Sequence, residues 1–250
     1  MAITKEKIEE FYKFMSPREF EYHIHISPLN KYIYFEVPKA ACSTIKATLQ
    51  ELEAKTLGLE IPSKEMSVIH NKKLSPLKSP SDIGLDEFLA MLNAEEIIKF
   101  CFVRNPYTRV MSAFLSKLSW KNSSYKQQIN QILGLTEETI TFAQFIEAIS
   151  KTSPKEMNPH WRNQTHQLFG ELVNYNFIGR LENLNQDLEQ ILKKIYKQEE
   201  GRINNSGRLT GSEKKLEEYY DEEIEKKVRK IYEEDFKRFN YPEELSKLKQ

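Results

Sequence analysis

Two segments of this chain carry side chains able to grip an anion. The first reads Tyr32-Ile-Tyr-Phe-Glu-Val-Pro-Lys-Ala-Ala-Cys-Ser-Thr-Ile-Lys46. An apolar run stops at Pro38, and Lys39, Ala40, Ala41, Cys42, Ser43 and Thr44 lead into a helical pattern. The first turn of a helix leaves backbone N–H groups unpaired, and the helix dipole favours negative charge there. Small Ala40 and Ala41 let a ligand approach the backbone, Ser43 and Thr44 add hydroxyl donors, and Lys39 brings a mobile positive charge. These parts suit a phosphate or a sulfate. The plain alternative is a strand-to-helix turn with a solvated lysine. A triphosphate loop would be Gly-rich and end in Gly-Lys-Ser/Thr, and no glycine occurs between Tyr32 and Gly58.

The second segment is Phe102-Val-Arg-Asn-Pro-Tyr-Thr-Arg-Val-Met-Ser-Ala-Phe114. Arg104 stands at the end of an apolar strand, the edge on which open α/β sheets bind ligands. A guanidinium there can hold a phosphate through two parallel hydrogen bonds. Arg109 and Ser112 share a face of the helix that follows. The alternative is that Arg104 pairs with a carboxylate and Ser112 packs. Two strand–loop–helix sites, one with lysine and one with arginine, point to a ligand with two separated phosphates.

These segments need a sheet to position them. Residues 31–37 and 97–103 read as strands buried on both faces of a parallel sheet, with Glu36 an exception that needs a partner. A third strand is expected at 175–178, turning at Gly179 into a helix, and a short one at Met66–His70. His23 and His25 alternate on a possible strand and read as structural. Helices are expected over 3–15, 43–55, 85–93, 106–118 and much of 120–170. A Gly/Asn/Ser loop follows at 201–211, and the charged 213–238 stretch reads as helix with a solvated face. Strands alternating with helices argue for α/β with a mainly parallel sheet.

The 250 residues allow one large domain or two small ones. Lysine plus arginine equals aspartate plus glutamate at 37 each, so no general nucleic-acid field is expected and the anion sites are local. The N-terminus lacks a signal-peptide pattern and no apolar stretch spans a bilayer, so the expectation is a cytoplasmic chain without a transmembrane segment. Cys42 and Cys101 are expected to be reduced. Near a helix N-terminus Cys42 has either a lowered pKa or a bland packing role. No metal-ligand spacing is visible.

The pair of loops resembles the carbohydrate sulfotransferase 2 family. The form Pro-Lys-x-x-Cys-Ser/Thr-x-x-Lys, followed by Phe-Val-Arg-x-Pro-x-x-Arg-x-x-Ser-Ala-Phe/Tyr, is similar to its 5′-phosphosulfate and 3′-phosphate loops. Asn176-Phe-Ile-Gly-Arg-Leu-Glu-Asn-Leu184, Asn204-Asn-Ser-Gly-Arg208 and Ile231-Tyr-Glu-Glu-Asp-Phe-Lys-Arg-Phe-Asn-Tyr241 extend the likeness. The family usually has Asp where this chain has Asn105. His160-Trp161 resembles a His-Trp element of the Golgi members, without the proline and cysteines that follow it there.

The resemblance implies a P-loop NTPase-like three-layer fold, with a central mainly parallel sheet flanked by helices. It implies one domain over 1–250, with a cofactor-binding core at about 31–120 and 172–210. A helical acceptor-side segment is expected at about 120–170 and C-terminal helices at 212–240. The implied reaction moves sulfonate from 3′-phosphoadenylyl sulfate (PAPS) to a glycan or small-molecule hydroxyl, leaving adenosine 3′,5′-bisphosphate, without a metal. Lys39 would stabilise the bridging oxygen, and Ala40, Ala41, Cys42, Ser43 and Thr44 would hold the 5′-phosphate. Arg104, Ser112 and Arg208 would hold the 3′-phosphate. His70 is the expected general base, in an Ile-His-Asn element matching the family. His160 is the second choice, or with Trp161 an acceptor contact. Lys46 reads as a solvated helix lysine or a further cofactor contact, with the former favoured; Arg109 is similarly divided. A nucleotide kinase and a non-catalytic adenosine-bisphosphate-binding protein remain the rivals.

Overall fold

The computed structural model describes residues 3–118, 124–197 and 215–249, which form two compact units. Residues 3–103 and 168–197 make up the first; 104–118, 124–167 and 215–249 make up the second.

The first unit is built on a four-stranded sheet of order β1 (Ile24–Ser27), β2 (Tyr32–Phe35), β3 (Ile98–Val103) and β4 (Phe177–Arg180). β2, β3 and β4 run parallel, and β1 pairs antiparallel to β2 with His25 opposite Tyr34. Successive strand residues point to opposite faces. Tyr32, Tyr34, Phe100 and Phe102 lie beneath Ile45 and Leu49 of the Cys42–Leu57 helix and Leu188, Ile191 and Leu192 of the Leu184–Tyr196 helix. On the other face, the Phe35 ring meets Phe169 and Tyr175 at centroid distances of 6.1 and 5.2 Å. Phe169 continues that layer to Phe11 and Phe20, and Phe20 to Phe88 of the Leu85–Asn93 helix. Burial on both faces explains why β2 reads as a nearly unbroken apolar run.

Several local expectations shift. β4 does not turn at Gly179 but passes through it, and a Cβ there would overlap the Phe102 ring. Only a residue without a side chain lets the strands meet at that point. Met66–Ile69 is one turn of helix rather than a strand, and His70 closes it. The helix expected over 3–15 is broken into a 3₁₀ turn, Lys5–Lys7, and a short helix, Ile8–Phe11. Ser16 then starts a separate helix, Pro17–His23, through a capping box with Glu19 and proline in the first turn.

The second unit is helical. Phe114 of the Pro106–Lys117 helix stacks on Phe145 of the Phe142–Ser150 helix, and Phe145 meets Trp161 edge-on. The C-terminal helices Glu222–Ile231 and Glu233–Arg238 bury Ile224, Val228 and Phe236. Asp235 accepts from the N–H groups of Gln164 and Thr165 at 2.7 Å each, capping the Gln164–Gln167 turn. The 201–211 loop and Arg208 lie outside the described residues. Among the described residues, no helix is long and apolar enough to cross a membrane.

Candidate active site

The loop after β2 is conformationally unusual. Lys39 and Ala41 both have positive φ, 72° and 61°, while Ala40 between them does not. A left-handed backbone costs an L-residue roughly 1–2 kcal/mol. Glycine commonly fills such positions, yet none stands here. Alternating handedness of this kind turns successive N–H groups into a concavity suited to anions. Ala41 is the N-cap of the Cys42–Leu57 helix and provides no side-chain cap, and the first turn has no acidic residue. The first turn of this long helix thus supplies no carboxylate of its own at the positive end of the helix dipole. Ala40 is buried, while Lys39 and Ser43 are half-buried.

Behind the loop lies a polar network that the residue pattern only hinted at. Glu36, only 3% exposed, extends the strand direction beyond β2. Its Oε2 accepts from Lys46 Nζ at 3.0 Å and lies 2.9 Å from His25 Nε2. His23 Nδ1 is 3.9 Å from the same oxygen. Lys46 Nζ also reaches His70 Nδ1 at 2.8 Å, and His70 Nε2 reaches Ser43 Oγ at 2.9 Å. The Tyr22 hydroxyl donates to the His70 carbonyl at 3.4 Å, and its ring lies under the Lys46 ammonium. Gln50 pins the same segment by donating to the Ile69 carbonyl. A continuous chain therefore joins Glu36 to the serine at the helix start.

The charges follow from this packing. Burial alone would raise the Glu36 carboxyl, but Lys46 and then the two histidines hold it well below the usual carboxylate range. Burial would lower the Lys46 ammonium, but Glu36 beside it keeps it above its ordinary value. Lys46 is 1% exposed, which corrects the solvated reading. His25 is pushed well below the ordinary histidine range, first by burial and then by Lys72, so it is neutral. Cys42 and Cys101 are both free thiols. Burial first, and Glu36 second, push the Cys42 thiol up to about 11, so it is not an activated thiolate.

The second anion-binding candidate belongs to the helical unit. Arg104 is held by the Gln164 carboxamide, which accepts from its N–H at 2.9 Å and donates to its carbonyl at 2.8 Å. Its Nε donates to Thr108 Oγ1 at 3.0 Å, fixing the guanidinium over the start of the Pro106–Lys117 helix. Ser112 is buried on that helix. Asn105 caps it by accepting from the Tyr107 N–H at 3.0 Å. An asparagine oxygen caps as well as an aspartate, so the departure at Asn105 preserves the local geometry and removes one negative charge beside Arg104. Arg109 is structural here: its guanidinium donates to the carbonyls of Arg162 and Pro159 at 2.7 and 3.0 Å.

His160 is half-buried, with Nδ1 2.6 Å from Asn158 Oδ1. Trp161 is 2% exposed and wedged between Phe145 and Tyr125. Among the described residues, no group of three or more His, Cys, Asp or Glu side chains is arranged to hold a metal ion.

Comparison with known proteins bears on what these loops do. A family model described as "Sulfotransferase family" matches residues 22–242. Carbohydrate sulfotransferase 14 of Mus musculus is 28% identical over 188 residues, covering 68% of this chain and 46% of its own. Carbohydrate sulfotransferase 9 of Homo sapiens is 28% identical over 187 residues, covering 69% and 40%. Carbohydrate sulfotransferase 12 of Xenopus laevis is 25% identical over 254 residues, covering 88% and 60%. The chain spans about half the length of the curated relatives it matches. No solved structure matches it.

Proposed function

The chain belongs to the sulfotransferase family, and from that premise we propose that it transfers sulfonate from 3′-phosphoadenylyl sulfate to a hydroxyl of a carbohydrate. The observation that carries this reading is the loop Pro38–Thr44. Two left-handed residues and an uncapped helix start, with no acid in its first turn, favour a bound anion. The sheet β2–loop–helix arrangement, covered on both faces, supports a P-loop NTPase-like three-layer architecture for this unit.

In this reading the N–H groups of Ala41 to Thr44 and the hydroxyls of Ser43 and Thr44 hold the 5′-phosphate. Sulfonate transfer parallels phosphoryl transfer, with a loose in-line transition state and charge growing on the leaving oxygen. The Lys39 ammonium stabilises that bridging oxygen as the S–O bond breaks. The acceptor oxygen forms the new bond to sulfur and its proton is released to solvent, while the leaving 5′-phosphate keeps the electron pair of the broken S–O bond. Arg104 and Ser112 contact the 3′-phosphate, with Arg208 as a further contact. The carbohydrate acceptor rests on the names of the relatives.

The test is thermal stabilisation of the intact chain by adenosine 3′,5′-bisphosphate against ATP and AMP. A ligand that binds only the native state raises stability with the logarithm of its concentration above its dissociation constant. Selective stabilisation by the bisphosphate is expected; equal or greater stabilisation by ATP would remove the sulfotransferase reading. Lys39→Ala is expected to lower turnover by roughly 100-fold or more while bisphosphate binding persists, as for loss of one transition-state donor. Unchanged turnover would remove the role assigned to Lys39.

A further inference from the structure

The His70 ring has two nitrogens with different neighbours. Nδ1 faces the Lys46 ammonium at 2.8 Å, and Nε2 faces Ser43 Oγ at 2.9 Å. An ammonium has donors and no acceptor. Nδ1 must therefore accept, and the neutral ring's one proton is on Nε2. Nε2–H then donates to Ser43 Oγ. A general base needs the reverse: a bare nitrogen facing the acceptor hydroxyl.

We propose, on the sulfotransferase reading above, that His70 is a positioning residue and not the base: with Lys46 and Glu36 it orients the Ser43 hydroxyl to donate to the 5′-phosphate. Ser43 Oγ has one proton. With its oxygen accepting from His70, that proton cannot go to the ring, and in the proposed complex it goes to the phosphate at the helix start. The Glu36–Lys46 pair locks the tautomer, because Lys46 is held by the 3.0 Å contact to Glu36 and enclosed by the Tyr22 ring. Other ionisable groups around this network include His25 and His23 beside Glu36, the Cys42 thiol near Glu36 and Lys46, the Tyr22 hydroxyl 3.4 Å from His70 Nδ1, and Lys72, whose Nζ is 3.3 Å from His25 Nδ1. Lys72 also donates to the Ile24 carbonyl at 2.6 Å, tying the His70 segment to β1.

The roles separate in a binding measurement without turnover. Isothermal titration of adenosine 3′,5′-bisphosphate into the full chain is the readout, with Ser43→Ala, His70→Ala and the double variant forming a cycle. A hydrogen bond to a charged group is lost in each, so each single variant is expected to weaken binding about tenfold or more. The double variant is expected to be no weaker than either. Two further variants guard against misfolding. His70→Gln places an N–H within reach of Ser43 and is expected to keep bisphosphate affinity and turnover within about tenfold. His70→Asn keeps an oxygen for Lys46 but is too short to reach Ser43, and is expected to behave like Ser43→Ala. A base at His70 predicts the opposite pattern: unchanged affinity in every His70 variant, with turnover down roughly 10²–10⁴-fold even for His70→Gln. That pattern, or additive losses in the cycle, overturns the proposal and leaves the sulfotransferase reading standing. A wild-type chain that does not bind the bisphosphate overturns both.

Discussion

Replacing Lys46 with methionine tests the buried network most directly. The Lys46 and Glu36 side chains are 1% and 2% exposed, and their charged atoms are 3.0 Å apart. Methionine fills much of the same volume but leaves the Glu36 carboxylate facing two histidines in a desolvated site. Breaking one half of a buried ion pair typically costs about 3–5 kcal/mol, because the surviving charge is uncompensated. For a chain of this size that is a fall on the order of 10 °C in the midpoint of thermal unfolding. The deficit should depend on pH. Without Lys46, Glu36 is expected to take up a proton more readily in the fold than in the unfolded chain. The deficit is therefore largest near neutrality and shrinks as pH falls toward the ordinary carboxyl value of 4.5. Adding Glu36→Gln removes the stranded charge and should recover most of the loss. Unfolding of the full chain, followed by circular dichroism in a urea series at pH 7, gives the comparison. If Lys46→Met falls within about 1 kcal/mol of wild type, Lys46 behaves as an exposed lysine and the network argument fails. It fails equally if the double variant is no more stable than Lys46→Met alone.

Gly179→Ala should destabilise the sheet by about 1–3 kcal/mol, since the new Cβ meets the buried Phe102 ring and overpacking is relieved only by shifting it. Calorimetry showing an unchanged midpoint would mean that Phe102 moves freely. Acid lability should appear in two steps. His25 is neutral in the fold but gains a proton in the unfolded chain near pH 6.5, and Glu36 is ionised in the fold but protonates in the unfolded chain near 4.5. In both cases the unfolded state binds more protons, so stability falls as pH drops below about 6.5 and falls again below about 4.5. His25→Gln should lose the first step in midpoints measured from pH 7.5 to 5.5, and an unaltered pH profile would show that His25 titrates normally.

Much of the fold is written locally. β2 and β3 are legible as apolar runs because both faces of a central strand are buried. The Cys42–Leu57 and Pro106–Lys117 helices are legible because proline and polar residues mark their starts. Lys39 and Arg104 stand out for the same reason: a charged residue at a strand end has few structural reasons to be there. The one-turn helix before His70 is not legible, since four residues of mixed pattern, Met66–Ile69, fit a strand as well as a turn.

Other features belong to long-range packing. Glu36 announces a need for a partner, but nothing near it in the chain names Lys46, whose spacing fits an exposed helix face equally well. Pairing β1 against β2 sets His25 beside Glu36, and docking the 66–74 segment on the Cys42–Leu57 helix sets His70 between Lys46 and Ser43. Trp161 is likewise buried by helices distant in sequence. By itself the sequence determined which residues could grip an anion and which segments carry them, because helix starts and strand ends obey local rules. Only the tertiary structure decided protonation and orientation: which lysine is buried, which histidine is neutral, and which ring nitrogen faces the serine. Those depend on desolvation and on partners tens of residues away.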